Sequence, residues 1–328
     1  MSGAEAKAGA AWPGKMARRR SGALGDRIFR ALVALAAGLV LLALGGAAAA
    51  ILWGGLPAFL HFGLYFLIST AWDPVRRDFG AMVPIYGTLV TSLIAMLSAV
   101  PISFGIAVFL TEVAPGWLRG PVGAAIELLA GIPSIIYGMW GLFVFAPFMA
   151  DHVEPWLTTL LGPLPLLGAL FDGPPLGIGM LTGGLILGIM VVPFISSVMR
   201  DVFLLVPLPL REAAFGLGAT RWELVWRVMV PYARTALMGG VFLGLGRALG
   251  ETMAVTFVLG NAHDFNLSLL LPSTSIAAAI ANEFTEADSE IYRSSLIALG
   301  FLLFLITFVV LAVAKLLMAR LARAEGRV

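Results

Sequence analysis

Six runs of apolar residues, each about 20 residues or longer, punctuate this chain, and no soluble core has room for all of them. They lie near Ile28 to Trp53, Ile85 to Leu110, Val122 to Met149, Leu176 to Met199, Ala236 to Leu259 and Ser295 to Met318. A helix rises about 1.5 Å per residue, so runs of this length match the roughly 30 Å of hydrocarbon in a bilayer. The rest of the chain agrees: 60% of its 328 residues are hydrophobic and 12% are charged. The fold class read from this pattern is all-α, a polytopic membrane protein with six transmembrane helices.

Six crossings put both termini on one side, and the placement of basic residues selects the side. With both termini cytoplasmic, that face collects Lys7, Lys15, Arg18, Arg19, Arg20, Arg27, Arg30, Arg119, Arg200, Arg211, Arg221, Arg227, Arg234, Lys315, Arg320, Arg323 and Arg327. Only Arg76, Arg77 and Arg293 fall outside, and Arg247 falls within a span. The outer loops carry acids instead, among them Asp73, Asp151, Glu154, Asp264, Glu283 and Asp288. The basic residues thus report orientation, not nucleic-acid binding. Trp156 to Phe171 is also apolar, but it is short and interrupted by Gly162, Pro163 and Pro165; it is expected to lie on the outer surface without crossing. Ala47 to Ala50 imitates a signal cleavage site, yet the apolar run before it exceeds a signal-peptide core, so a retained first span is expected. Residues 1–27 form a cytoplasmic tail expected to be disordered, and 28–328 form the membrane domain.

The longest cytoplasmic connection, 200–234, reads as two short helices around a glycine turn. Pro209 suits a first helical turn, where its missing N–H costs nothing. Gly216 and Gly218 permit chain reversal, and Thr220 with Glu223 has capping-box spacing. Pro231 marks the approach to the fifth span.

Arg247 is expected near the middle of the fifth span, where a charge costs roughly 2.5–3.5 kcal/mol unless it meets a partner or a wet cavity. Glu251 follows four residues later, so the two are expected on one helical face and able to pair. Arg247 presents a planar fork of donors suited to an oxyanion, and Glu251 can hold that fork or accept a hydrogen bond from a protonated phosphate; a structural ion pair is the alternative. Small-residue spacings, Gly240 with Gly244 and Gly246 with Gly250, predict close approach of another helix. Pro101 and Pro133 are expected to interrupt the second and third spans, Glu127 to reach the membrane interface, and 275–284 to form a short outer helix.

The chain has no catalytic constellation. Its lysines are Lys7, Lys15 and Lys315, none in the Gly-rich context of a P-loop, so it is not an enzyme and ATP hydrolysis belongs to a separate subunit. Cysteine is absent, and His61, His152 and His263 are scattered; no metal site and no cofactor is expected.

Glu212-Ala213-Ala214, Gly218 and Val228-Met229-Val230-Pro231 resemble the EAA loop of ABC importer permeases, with valines where that family commonly has Ile and Leu. The resemblance implies that Glu212, Ala213, Ala214 and Gly218 form a coupling helix docking on an ATPase subunit. Three further stretches are similar to phosphate-specific importer permeases of the PstC type. They are Phe79-Gly80 with Ile85-Tyr86-Gly87-Thr88-Leu89-Val90-Thr91-Ser92, then Ile132-Pro133-Ser134-Ile135-Ile136-Tyr137-Gly138, then Gly246-Arg247-Ala248-Leu249-Gly250-Glu251-Thr252-Met253-Ala254-Val255. Together with the loop, the resemblance covers roughly Phe79 to the C-terminus. It implies a type I ABC importer permease fold in a bacterial inner membrane and a substrate pathway including Arg247, Glu251 and Thr252. The implied partners are a second permease subunit of the PstA type, an ATPase dimer, a periplasmic phosphate-binding protein, phosphate and the lipid bilayer, with no nucleic acid. Permeases for sulfate or molybdate, and an ion-coupled secondary transporter, are the other readings.

Overall fold

The computed structural model describes residues 23–165 and 167–324. The expected disordered tail through residue 22, its basic cluster, and Arg327 lie outside the described residues; residues 23–27 of that tail are helical. Among the described residues, six helices are long and apolar enough to cross a membrane: Leu24–Phe62, Met82–Val113, Ser134–Leu161, Met180–Leu204, Arg221–Leu249 and Glu290–Arg320. They are called spans one to six below. The described residues fall into two compact units that divide between Ala50 and Ile51. In the first, Leu32, Leu35 and Leu41 are exposed along the helix, a surface suited to lipid tails. Span one runs helical through Ala47 to Ala50.

In the second unit the core is built on spans two and four. A Cβ on Gly184 would lie 2.6 Å from Ile94 Cβ, and one on Gly188 would lie 2.3 Å from Ser98 Oγ. Glycine at these positions lets the two helices touch along their backbones. Farther along, the Ser103 hydroxyl donates to the Val192 carbonyl at 3.1 Å. These contacts advance together along both helices, so spans two and four run parallel. That geometry requires an odd number of crossings between them, and span three alone supplies it, so Trp156 to Phe171 is no second crossing. Part of it is not a surface segment either. Trp156 to Leu161 continues the helix of span three, and only the Gly162, Pro163 and Pro165 stretch turns away.

Span three begins later than the apolar run suggests. The expected Val122 to Met149 crossing is divided into a helix Gly116–Ala130 and a second helix starting at Ser134. Pro133 explains the break, since it has no N–H for a continuing helix and restricts the residue before it. Glu127 does not simply reach an interface; its carboxylate accepts from Arg200 Nη2 at 2.8 Å, tying Gly116–Ala130 to the end of span four. Glu154, counted among the outer-loop acids, is buried within span three, where Oε2 accepts from the Gly177 N–H at 2.9 Å. Pro101, by contrast, interrupts nothing and sits inside a continuous helix.

Span five is displaced in the opposite sense, ending at Leu249 where the apolar pattern ran on to Leu259. It begins at Arg221, so the second helix of the 200–234 loop is continuous with the span. A wider π-turn at Leu224–Met229 lies one residue before Pro231 and accommodates its missing N–H. Gly240 and Gly244 do face another helix: added Cβ atoms would meet Val198 at 2.9 Å and Ile195 at 2.5 Å. Gly246 faces Leu311 of span six at 3.6 Å, an ordinary contact distance with no forced close approach, and Gly250 meets only the Gly246 carbonyl of its own helix, at 3.7 Å. The helix expected near 275–284 is Ile276–Glu283, opened by Ser275, whose hydroxyl accepts from the Ala278 N–H at 3.1 Å.

Candidate functional site: a glycine-capped loop and a broken fifth helix

The loop after span four forms a helix, Leu208–Gly216, entered through an extended Pro207. Gly218 then takes φ +84°, a left-handed conformation that suits glycine and reverses the chain. Gly216 is the last helical residue and is not the turning point. Thr220 closes the turn with both halves of a capping box: its side chain accepts from the Glu223 N–H at 3.3 Å, and Glu223 Oε2 accepts from the Thr220 N–H at 3.0 Å. Glu212, Ala213 and Gly218 are exposed, whereas Ala214 is buried against the core. A cavity of about 340 Å³ opens beside Ala214, Gly218, Glu223 and Val228.

Sequence reasoning passed over the residue that fixes this helix. Arg211 Nη1 donates to Glu112 Oε1 at 2.8 Å, and its Nη2 donates to the Phe203 carbonyl. Both side chains are largely buried, at 15% and 8% exposure, so the pair is shielded from water. Glu112 lies in the π-turn Phe109–Val113 that ends span two. The available signal was an acid just past a span on the face where bases gather.

The second cluster surrounds two helix breaks, Gly131 to Pro133 and Gly250 to Thr252. The halves beyond them pack closely: a Cβ on Gly138 would lie 3.0 Å from Ala254 Cα and 2.9 Å from the Phe257 ring. Arg247 stands in the last turn of span five, not at its middle. It is exposed, and its guanidinium carbon is 5.9 Å from the centre of the Phe194 ring. The expected pairing with Glu251 is absent. Gly250 ends the helix, so Glu251 leaves the face that carries Arg247 and instead accepts from the Ala254 N–H at 3.4 Å. Thr252 precedes the short helix Met253–Val258, and its carbonyl receives the Thr256 hydroxyl at 2.7 Å. Tyr137, which the sequence offered only within a resemblance motif, stands in the first turn after the first break. Its hydroxyl donates to the Leu129 carbonyl at 3.0 Å, across the first break. The cluster therefore offers an uncommitted guanidinium fork, a carboxylate and two hydroxyl-bearing side chains around the two breaks.

A third cluster centres on Glu283. Its carboxylate accepts from Trp72 Nε1 and the Tyr292 hydroxyl, both at 2.6 Å, and from His263 Nε2 at 2.6 Å. Burial by itself would raise the Glu283 pKa. Hydrogen bonds from His263 and Tyr292, the attraction of His263 and the Trp72 N–H outweigh burial and hold it below the ordinary glutamate value. A depressed carboxyl stabilises the fold fully above the unfolded-state pKa and loses that contribution as pH falls toward the folded value. Glu283→Gln presents an amide donor where three donors already converge. It is expected to lose about 2–3 kcal/mol at neutral pH and to flatten the acid limb of a thermal-unfolding profile; a wild-type midpoint at pH 7 would refute this. Among the described residues, no group of three or more His, Cys, Asp or Glu is placed to hold a metal ion.

With this geometry in view, the relatives fall into one group. Residues 84–323 match the family described as binding-protein-dependent transport system inner membrane component. The chain is 60% identical over 301 residues to the phosphate transport system permease protein PstC of Xylella fastidiosa (strain 9a5c), covering 92% of this chain and 93% of that protein. It is 55% identical to the PstC of Pasteurella multocida (strain Pm70), over 92% and 94% of the two chains. Identity is 37% to the probable PstC of Methanocaldococcus jannaschii, over 79% and 82%. A solved structure of the MetNI methionine ABC transporter, titled as inward facing, superposes with a TM-score of 0.51 at 17% identity, covering 74% of this chain and 94% of that one. At that identity the likeness speaks for the fold alone. The chain is thus a multi-pass membrane protein, and it belongs to the binding-protein-dependent transport system inner membrane component family, in its PstC group.

Proposed function

We propose that this chain is one half of the membrane pathway of an ATP-driven phosphate importer, working beside a second permease subunit of the PstA type. The observation that carries the reading is the 55–60% identity, over nine-tenths of the chain, to proteins named phosphate transport system permease. In this reading both termini are cytoplasmic in a bacterial inner membrane, 28–328 is the permease domain, and 200–234 meets an ATPase dimer. Glu212, Ala213, Ala214 and Gly218 transmit ATP-driven closure to the spans, with a periplasmic phosphate-binding protein delivering cargo on the other side. Arg247 binds the oxyanion, and Thr252 adds a hydroxyl. Glu251, released from Arg247, accepts a hydrogen bond from a protonated phosphate oxygen. Sulfate is fully ionised at neutral pH and has no such proton, so the carboxylate repels it. An ion-coupled secondary transporter would leave the exposed coupling helix without a use.

Uptake of labelled phosphate in bacteria lacking their own PstC-type subunit, supplied with this chain and its own partner subunits, tests the reading. Restored uptake that survives a large excess of sulfate is the expected result. Uptake that sulfate or molybdate competes away would reassign the cargo.

A further inference from the structure

The segment between spans one and two folds into a small antiparallel hairpin, Trp72–Asp73 with Asp78–Phe79. A two-stranded hairpin alone is marginal in water, yet this one is bolted down at its base. Trp72 stacks on His263 with 4.8 Å between centroids, and Phe79 stacks on Tyr292 at 4.9 Å. Trp72 also donates to Glu283. Gly80 packs so closely that an added Cβ would fall 2.2 Å from the Ser69 carbonyl oxygen.

The tip is the reverse. Val75 is 93% exposed, and the Arg76 side chain is 86% exposed. Asp73 shapes the turn by accepting from the Val75 and Arg76 N–H groups at 2.9 and 3.0 Å. The Asp73 to Arg76 ion pair, at 3.6 Å in the open, contributes little. Arg77 is held at φ +56°, a conformation that costs a non-glycine residue about 1–2 kcal/mol and that glycine would relieve. The sequence keeps an arginine there. A rigid base thus carries an apolar residue and two cations into solvent, in loops whose other charges are mostly acidic. Arginine is among the residue types enriched in binding hot spots.

From this we infer that the Val75-Arg76-Arg77 tip is a docking finger for a soluble protein partner with an acidic surface, the one that delivers cargo. The inference rests on the importer reading above, which places the tip on the delivery side. The base connects this contact to the pathway, because Glu283 ties Trp72 to His263, and His263 lies in the segment that follows the short helix Met253–Val258.

The test uses the assembled importer in nanodiscs of neutral phosphatidylcholine, with the phosphate-loaded binding protein of the same organism titrated in and ATP hydrolysis read out. R76E/R77E is expected to raise the half-saturating concentration about tenfold or more, and to reverse its salt dependence because salt then screens a repulsion, while basal hydrolysis and the rate at saturation stay unchanged. Identical titration curves overturn the inference. Val75→Ser, with an expected shift of about threefold, decides the matter if the doubly reversed variant fails to assemble. A difference that emerges only when anionic phosphatidylglycerol is added makes the tip a lipid contact and also overturns it. A wild-type complex stimulated by sulfate-loaded and not phosphate-loaded protein overturns the cargo reading instead, and the tip comparison repeated with that protein still decides docking.

Discussion

Glu112→Ala is expected to destabilise the folded permease by about 3–5 kcal/mol, because it strands a buried guanidinium without its counter-charge. Arg211 keeps its bond to the Phe203 carbonyl, but one carbonyl dipole does not replace a carboxylate at 2.8 Å. The helix Leu208–Gly216 then loses its attachment to the end of span two. In the importer assembly proposed above, the functional result is uncoupling: ATP hydrolysis continues while phosphate moved per ATP falls. Thermal unfolding of the purified complex and the ratio of hydrolysis to uptake measure the two effects separately. The double variant Glu112→Leu with Arg211→Met removes both charges and is expected to regain most of the lost stability, since a buried pair replaced by apolar groups is often neutral or better. A Glu112→Ala protein within about 0.5 kcal/mol of wild type would show that the pair behaves like an exposed one.

Arg247→Ala is expected to lower phosphate uptake by about 10²–10⁴-fold, corresponding to two charge-assisted hydrogen bonds of about 1.5–3 kcal/mol each. Its effect on unfolding should be small. Arg247 is exposed, has no ion pair with Glu251, and loses only its place over the Phe194 ring, a contact of about 0.5–1 kcal/mol. Lysine at this position keeps the charge without the planar fork and should restore only part of the uptake. A large fall in thermal stability with uptake preserved would make Arg247 a structural residue and remove it from the pathway.

The membrane class, the number of crossings and the loop's turn chemistry were legible because each depends on local composition or spacing. Long apolar runs have one solvent that suits them, and Thr220 with Glu223 meets across three residues whatever surrounds them. Helix ends were less legible. The run from Val122 to Met149 is apolar enough to cross, yet Pro133 divides it, and the wider turns within span three let its helix carry on to Leu161. The same limit misplaced Arg247: four-residue spacing makes an ion pair only where the helix persists, and Gly250 ends it between the partners.

What the sequence by itself determined is therefore the all-α six-span architecture, the glycine turn and capping box of the loop after span four, and the family to which they belong. Only the tertiary structure decided that Arg211 finds Glu112, that Glu283 gathers Trp72, His263 and Tyr292, and that Arg247 stands apart from Glu251. The physical reason is distance along the chain. Local hydrogen bonds and burial periodicity are written in neighbouring residues, whereas a buried charge chooses its partner from whatever the packed helices bring within about 3 Å.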